Sequence, residues 1–567
     1  MTIRATIAVA LVVFLSLAGA SPAQPGGPSA VQRYADLLAS DPAAALGEAT
    51  RARDSALAAW PASGDAPLVV AVEHHAVVSL LAAAPPSAQG LLSAVWVSHP
   101  GFVGAIARIA EPGADVLGIA AIAQAIAAHH GEALAGYPEL AAAVAVVQAG
   151  QRTYPGLGAV RPDGPGVFAA MVYAHQDRRV SALPLHELPA EVLVYLADMA
   201  LTGDGLRAVV LAARRATPLD LYKSVPFRQA GLLAGEPARA PEEFTLDRIA
   251  SRGGLGPVRG FYAEQLGQAF GYPVSLAVGQ LGQERFMAPA FLEAQRRAYA
   301  WNFEAIPDHP GLALGTTVHP VSGRPMPLDE LPPTADLARA GIRPTRTAWA
   351  LLRAAQVPGQ TPTSVRALLH ASQGQTMGLV AGWSMDLEDR LATAGPTLEA
   401  VQRAINDFLG RTEAHGPLLA LRLVLEAIEG HEHAGELREW LTQTQRRDAD
   451  RLAMVVLAQG DAALARGDRE AAAGFFEDMA NRAIGNSPLA LEGLARLESL
   501  AAQGASIDPV ELYARAHRRL RAPRGDEATV RASAFMIVGE RHEALLRQAG
   551  RDREADRLLR RLEQALP

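Results

Sequence analysis

The chain has 567 residues, 49% of them hydrophobic, and a formal net charge of -7 at pH 7. That length leaves room for several domains with well-buried cores, and the acidic balance supplies no basic field for a nucleic-acid partner. Cysteine is absent, which excludes disulfides, thiolate metal sites, c-type haem attachment, a lipid anchor on cysteine and any thiol nucleophile.

Residues 1–23 carry Arg4, an apolar run from Ile7 to Leu17, and small residues offering cleavage after Ala20 or Ala23. This is the pattern of a secretory signal peptide, and the run is short for a membrane span. The expectation is export to the periplasm or beyond, with no stable membrane insertion after cleavage and no second segment long and apolar enough to cross. Residues 24–29 read as a Pro- and Gly-rich linker. From 30 to 235 the Ala- and Leu-rich chain reads as helical hairpins, the clearest being Ala114 to His130 and Pro138 to Gln148, with Gly131 and Gly136 as breaks.

Residues 240–345 have another character. Pro257 suits a first helical position, Val258, Phe261, Tyr262, Leu266 and Phe270 recur at helical spacing, and Gly271 with Pro273 ends the run. Val274 to Val278, Ala300 to Phe303 and Thr316 to Val318 then read as short strands bounded by Gly or Pro. Helices resume over 346–450, with Thr397 as a candidate N-cap, and continue as helix pairs over 451–567. The fold class expected is mostly α with a small α+β core.

The turn Gly253, Gly254, Leu255, the helix residues Arg259, Phe261 and Tyr262, and the following Gly271, Pro273, Gly279 and Gly282 resemble the transglutaminase-like domain of the papain-type cysteine enzymes. In that family a Gly-Gly-x-Cys turn opens a buried helix, whose N-terminus stabilises the thiolate, and a His and an Asp follow on adjacent strands. The resemblance implies that Gly256 occupies the cysteine position, Phe286 the neighbourhood of the His, and His319 the place of the Asp. All three are altered, so no catalytic residue is assigned. The segment Leu188 to Arg215 is similar to the helical lead-in of such bacterial proteins.

At the carboxyl end Gly460, Gly467, Ala472 and Phe476 resemble a tetratricopeptide helix pair. Gly550, Ala555, Leu559, Leu562 and Pro567 resemble a second, with a less regular pair around Leu489 to Leu520. Met479 and Leu562 replace customary alanines, which implies degenerate copies in an α-solenoid.

The His74/His75 and His129/His130 pairs and the His431, Glu432, His433 group lack the i, i+4 spacing of a zinc site, and no phosphate loop or G-x-S-x-G elbow is present. No cofactor and no metal are expected. The leading expectation is an exported pseudoenzyme that scaffolds a protein or peptide ligand at the cell envelope. The alternative is a hydrolase reusing the cleft with a non-cysteine nucleophile or a metal, with His319 as base.

Overall fold

The computed structural model describes residues 29–150, 152–154, 158–160, 163–176, 183–200, 256–281, 284–295, 298–302, 316–323, 325–412, 415–444, 449–482, 487–522 and 533–566. Among these the chain is mostly helical, with a two-stranded and a five-stranded sheet. The signal-like residues 1–23, the turn Gly253 to Leu255 and Pro567 lie outside the described residues.

The amino-terminal helices are α1 (Ala30–Ser40), α2 (Pro42–Ala59), α3 (Asp65–Ala82), α4 (Pro86–Ser98), α5 (Pro100–Ile109), α6 (Val116–Gly136) and α7 (Pro138–Val147). Ser29 caps α1, its side chain accepting from the Gln32 N–H at 3.1 Å. The break expected at Gly131 falls at a kink in α6, where His130 leaves helical geometry at φ -135°, and α6 ends at Gly136. A hairpin of β1 (Arg152–Tyr154) and β2 (Gly158–Val160) interrupts the region expected to be helical, before α8 (Gly164–Gln176) and α9 (Ala190–Ala197).

Helix α10 (Gly256–Ala269) leads into β3 (Val274–Leu281), β4 (Glu284–Gln295), β5 (Ala298–Asn302), β6 (Thr316–Val318) and β7 (Pro325–Pro327). These five form an antiparallel sheet in the order β5-β4-β3-β6-β7. The longest strand, β4, was not among those expected from the sequence, and it contains Pro289, a residue that lacks the donor a ladder needs. The register explains its tolerance. Leu292 donates to the Pro273 carbonyl, so the alternation makes Leu276/Pro289 a pair without ladder hydrogen bonds. The proline nitrogen therefore faces the other edge of β4, and β5 pairs only with Phe291 to Gln295.

Helix α10 is buried on both sides. Gly267 lets it approach the sheet, where an added Cβ would come within 2.6 Å of Val274 and 2.9 Å of Phe291. On the opposite side it meets α9 through glutamines. Gln265 accepts from the Ala200 N–H at 2.8 Å and Gln268 donates to the Tyr195 carbonyl at 3.1 Å. Gln148 donates to the Ala197 and Met199 carbonyls, so the exit of α9 keeps its backbone groups paired although it is buried.

The remaining helices are α11 (Pro332–Ala340), α12 (Ile342–Ala355), α13 (Pro362–Gln375), α14 (Val380–Ala394), α15 (Leu398–Thr412), α16 (Pro417–Ile428) and α17 (Ala434–Thr444), then α18 (Ala449–Ala465), α19 (Arg469–Arg482), α20 (Ser487–Ala502), α21 (Pro509–Arg519), α22 (Ala534–Gln548) and α23 (Asp552–Glu563). Two large cores result. One runs from Tyr34 to Ala338 and takes in both the amino-terminal helices and the sheet residues Ala277, Ala290, Leu292 and Trp301. The sheet thus shares its core with the region before it. The other runs from Trp383 to Leu545.

Helix α3 is long and apolar enough to cross a membrane, against the sequence expectation that no later segment is. Its apolar residues serve two packing partners instead. Val77, Val78 and Leu81 enter the large amino-terminal core, whereas Leu68, Val69 and Val72 pack with Leu351, Leu352, Leu368 and Leu369 of α12 and α13.

A buried ion network fixes five of these helices. Arg108 of α5 lies 2.5 Å from Glu139 of α7, 3.2 Å from Glu191 of α9 and 3.6 Å from Glu73 of α3, and Glu73 also binds Arg346 of α12. Burial opposes the Arg108 charge, but Glu191, Glu139 and Glu73 together hold its pKa above the ordinary value. Burial raises the Glu139 carboxyl, with Arg108 opposing.

Candidate functional site

In the α/β core, α10 starts at Gly256, and Phe286 of β4 pairs with Gly279 of β3. His319 follows the end of β6. Strand β3 lies between β4 and β6, so Phe286 and His319 are not on neighbouring strands. Val278 pairs with Thr316, which puts His319 near the level of Ser275 and about four residues, roughly 13 Å, down the sheet from Phe286. That is the end where Gly267, near the carboxyl end of α10, meets Val274. The helix start at Gly256 lies at the other end of α10 from Gly267.

The local geometry of His319 bears on its use as a base. Its Nδ1 is 3.3 Å from Glu111 Oε1 and 3.3 Å from Ser322 Oγ, and the Ser322 N–H approaches the same nitrogen at 3.4 Å. A relay needs the acid on one ring nitrogen and the nucleophile on the other. Here both sit on Nδ1. The Gly323 N–H donates to the His319 carbonyl at 2.9 Å, so the backbone closes a turn here while the imidazole lies edge-on to Tyr195.

Four of the other histidines have local partners. His74 is edge-on to Tyr34 and Trp96, and His75 Nε2 is 3.1 Å from an Arg53 nitrogen. His130 sits at the α6 kink beside Phe168, and His433 lies 3.1 Å from Glu436. Among the described residues no group of three or more His, Asp and Glu is placed to hold a metal ion.

The carboxyl-terminal pairs are built from close crossings. A Cβ on Gly460 of α18 would run into the Phe476 ring of α19, and one on Gly493 of α20 would lie 2.9 Å from Ala480. Ala472 and Ala555 are fully buried. Gly467 and Gly550 adopt φ of 81° and 72° and end α18 and α22 in the same way. Asp468 donates back to the Ala463 carbonyl and Arg551 to that of Leu546. Gly504, at φ 90°, ends α20 identically, with Ala505 donating to Leu500. Sequence reading missed Gly504, though a glycine followed closely by Asp508-Pro509 was the available signal.

Between α19, α20 and α21 lies a cleft of about 280 Å³. Its floor is apolar, made by Ala480, Leu494, Leu512 and Ala516, all buried. Its rim carries Arg515, Arg518 and Arg519 against the single carboxylate of Glu477, with Asn481 beside them. Arg515 pairs with Glu477 at 3.2 Å and Arg518 with Glu511 at 3.3 Å. Arg519 donates to Asn481 Oδ1 at 2.5 Å and to the Asn481 carbonyl at 3.3 Å, and has no carboxylate partner among the described residues. Underneath, Glu498 of α20 accepts from the Tyr513 hydroxyl at 2.9 Å and binds Arg541 of α22, locking α21 in place. The sequence reading passed over this site, although the run from Arg515 to Arg519 on one short helix marks it.

No family model, no curated protein and no solved structure matches the chain.

Proposed function

We propose that this chain is an exported, catalytically silent protein in which a transglutaminase-like α/β core and degenerate tetratricopeptide-like helix pairs form a scaffold that binds a protein or peptide at the cell envelope. Silence is supported by the absence of cysteine and by a helix that opens at Gly256 while His319 stands toward the other end of the sheet. Export is supported by the signal-like pattern of residues 1–23. The observation that carries the binding role is the amphipathic cleft of the helix pairs, with an apolar floor and a cationic rim.

The test joins an activity panel to a pull-down. The purified mature chain is expected to release no product from amide, ester or peptide substrates, and to retain a peptide fraction on a column. Turnover that survives repurification and is lost in His319→Ala would instead establish the second reading, a hydrolase with His319 as base. Glu111 favours that reading; the sharing of Nδ1 with Ser322 weighs against it.

A further inference from the structure

The cleft between α19, α20 and α21 has a specific chemistry. Three of its elements are fixed before any ligand arrives: Leu494 and Leu512 form a dry floor, Glu498 clamps Tyr513 next to Leu512, and Asn481 orients Arg519 from one side. A guanidinium held by an amide and a carbonyl keeps its full charge, because neither acceptor neutralises it. Arg515 and Arg518 already have carboxylates, so Arg519 is the rim cation left to be matched. Arg521, exposed and without a partner among the described residues, continues the positive edge in a chain whose net charge is -7. The volume of about 280 Å³ lies at the lower end of ligand pockets, which span roughly 300–1,000 Å³. That is room for one apolar side chain.

From this geometry we infer that the cleft is the anchor site for an acidic peptide segment, which seats one aliphatic or aromatic side chain on Leu494 and Leu512 and places an adjacent carboxylate on Arg519. The inference rests on the proposed binding function and names the partner's chemistry. Glu477 sets the polarity of the rim: it matches Arg515 at one end and leaves Arg519 as the docking point, so order along the segment matters.

The experiment uses the mature full-length chain and two arrays of random heptapeptides. Both fix a central Leu or Phe; one flanks it with Asp or Glu, the other with Asn or Gln. Binding confined to the acidic array is expected, weakened roughly tenfold or more in Arg519→Gln, as loss of a charge-assisted hydrogen bond implies, and largely restored in Arg519→Lys. Melting of each variant is measured alongside, and Leu494→Asn, which polarises the floor, is expected to weaken the same peptides. Free acetate or glutamate competing as well as the peptides would reduce the cleft to a simple anion site and overturn the inference. Peptides bound from both arrays with no effect of Arg519→Gln would overturn it too, while leaving a binding protein that uses another surface. Retention of nothing from either array would defeat the binding function itself.

Discussion

The two large cores hold their helices in opposite ways. The amino-terminal core is tied by polar contacts between residues far apart in the chain: Arg346 reaches Glu73 across 273 positions, Glu191 reaches Arg108 across 83, and glutamines close the buried end of α9. The carboxyl-terminal core repeats a local device, a glycine-ended helix folding back and a small residue admitting its neighbour, as at Gly460 under Phe476 and Gly493 beside Ala480. Damage in the first region is therefore expected to spread over five helices, and damage in the second to stay within a pair and its neighbours.

The strongest break is Arg108→Leu. It leaves Glu73, Glu139 and Glu191 buried around an apolar side chain, and removing one partner of such a network costs about 3–5 kcal/mol. Calorimetry should show a lower transition for the amino-terminal core with the carboxyl-terminal one unmoved; a uniform shift of both would deny their independence. Next comes Gly460→Ala, which overpacks the Phe476 contact at about 1–3 kcal/mol. Combining it with Phe476→Leu should recover part of that loss, a coupling of about 0.5 kcal/mol or more, and strictly additive losses would show that the two do not meet.

Gly504→Ala is smaller, about 1 kcal/mol, because its φ of 90° suits only glycine. Gly474→Ala is its control: the site is inside α19 with open space beyond, so alanine should stabilise by about 0.5–1 kcal/mol. Opposite signs in urea titrations are the expected result, and equal signs would remove the role given to the turn.

The smallest effect at neutral pH belongs to His517, whose ring stacks near Phe535 with Nε2 unbonded among the described residues. Burial, with Arg561 and His542 adding to it, pushes its pKa down from 6.5 to about 4. The folded chain thus binds fewer protons than the unfolded one in this range. The stability it contributes is complete above pH 6.5 and declines as pH falls toward about 4. His517→Phe should flatten that decline for the carboxyl-terminal transition, and an unchanged acid profile would assign the loss to carboxylates.

The same contrast decided what could be read from the sequence. Gly467, Gly550 and Ala472 were legible because turn and crossing chemistry is local and spaced. Helix α10 was legible from its periodicity, and its strand β3 from the Gly and Pro at its ends. Strand β4 was not, since whether Pro289 breaks a ladder depends on which neighbour β5 leaves unpaired. Arg108 looked like any surface arginine until four other helices closed over it. The cleft was hidden for a related reason: Arg515 to Arg519 reads as a favourable charge at a helix end, and only Asn481 from another helix leaves Arg519 unneutralised.

Helix α3 carries a consequence for the order of synthesis. Its second half finds Tyr34 and its neighbours already made, but Leu68, Val69 and Val72 wait for Leu351 and Leu369. At about 5–20 residues per second, the intervening chain takes roughly 15–60 s to appear. Throughout that interval a nascent chain displays the uncovered apolar first half of α3, which makes it the natural handle for a holdase chaperone and the first place where a stalled or truncated chain would stick.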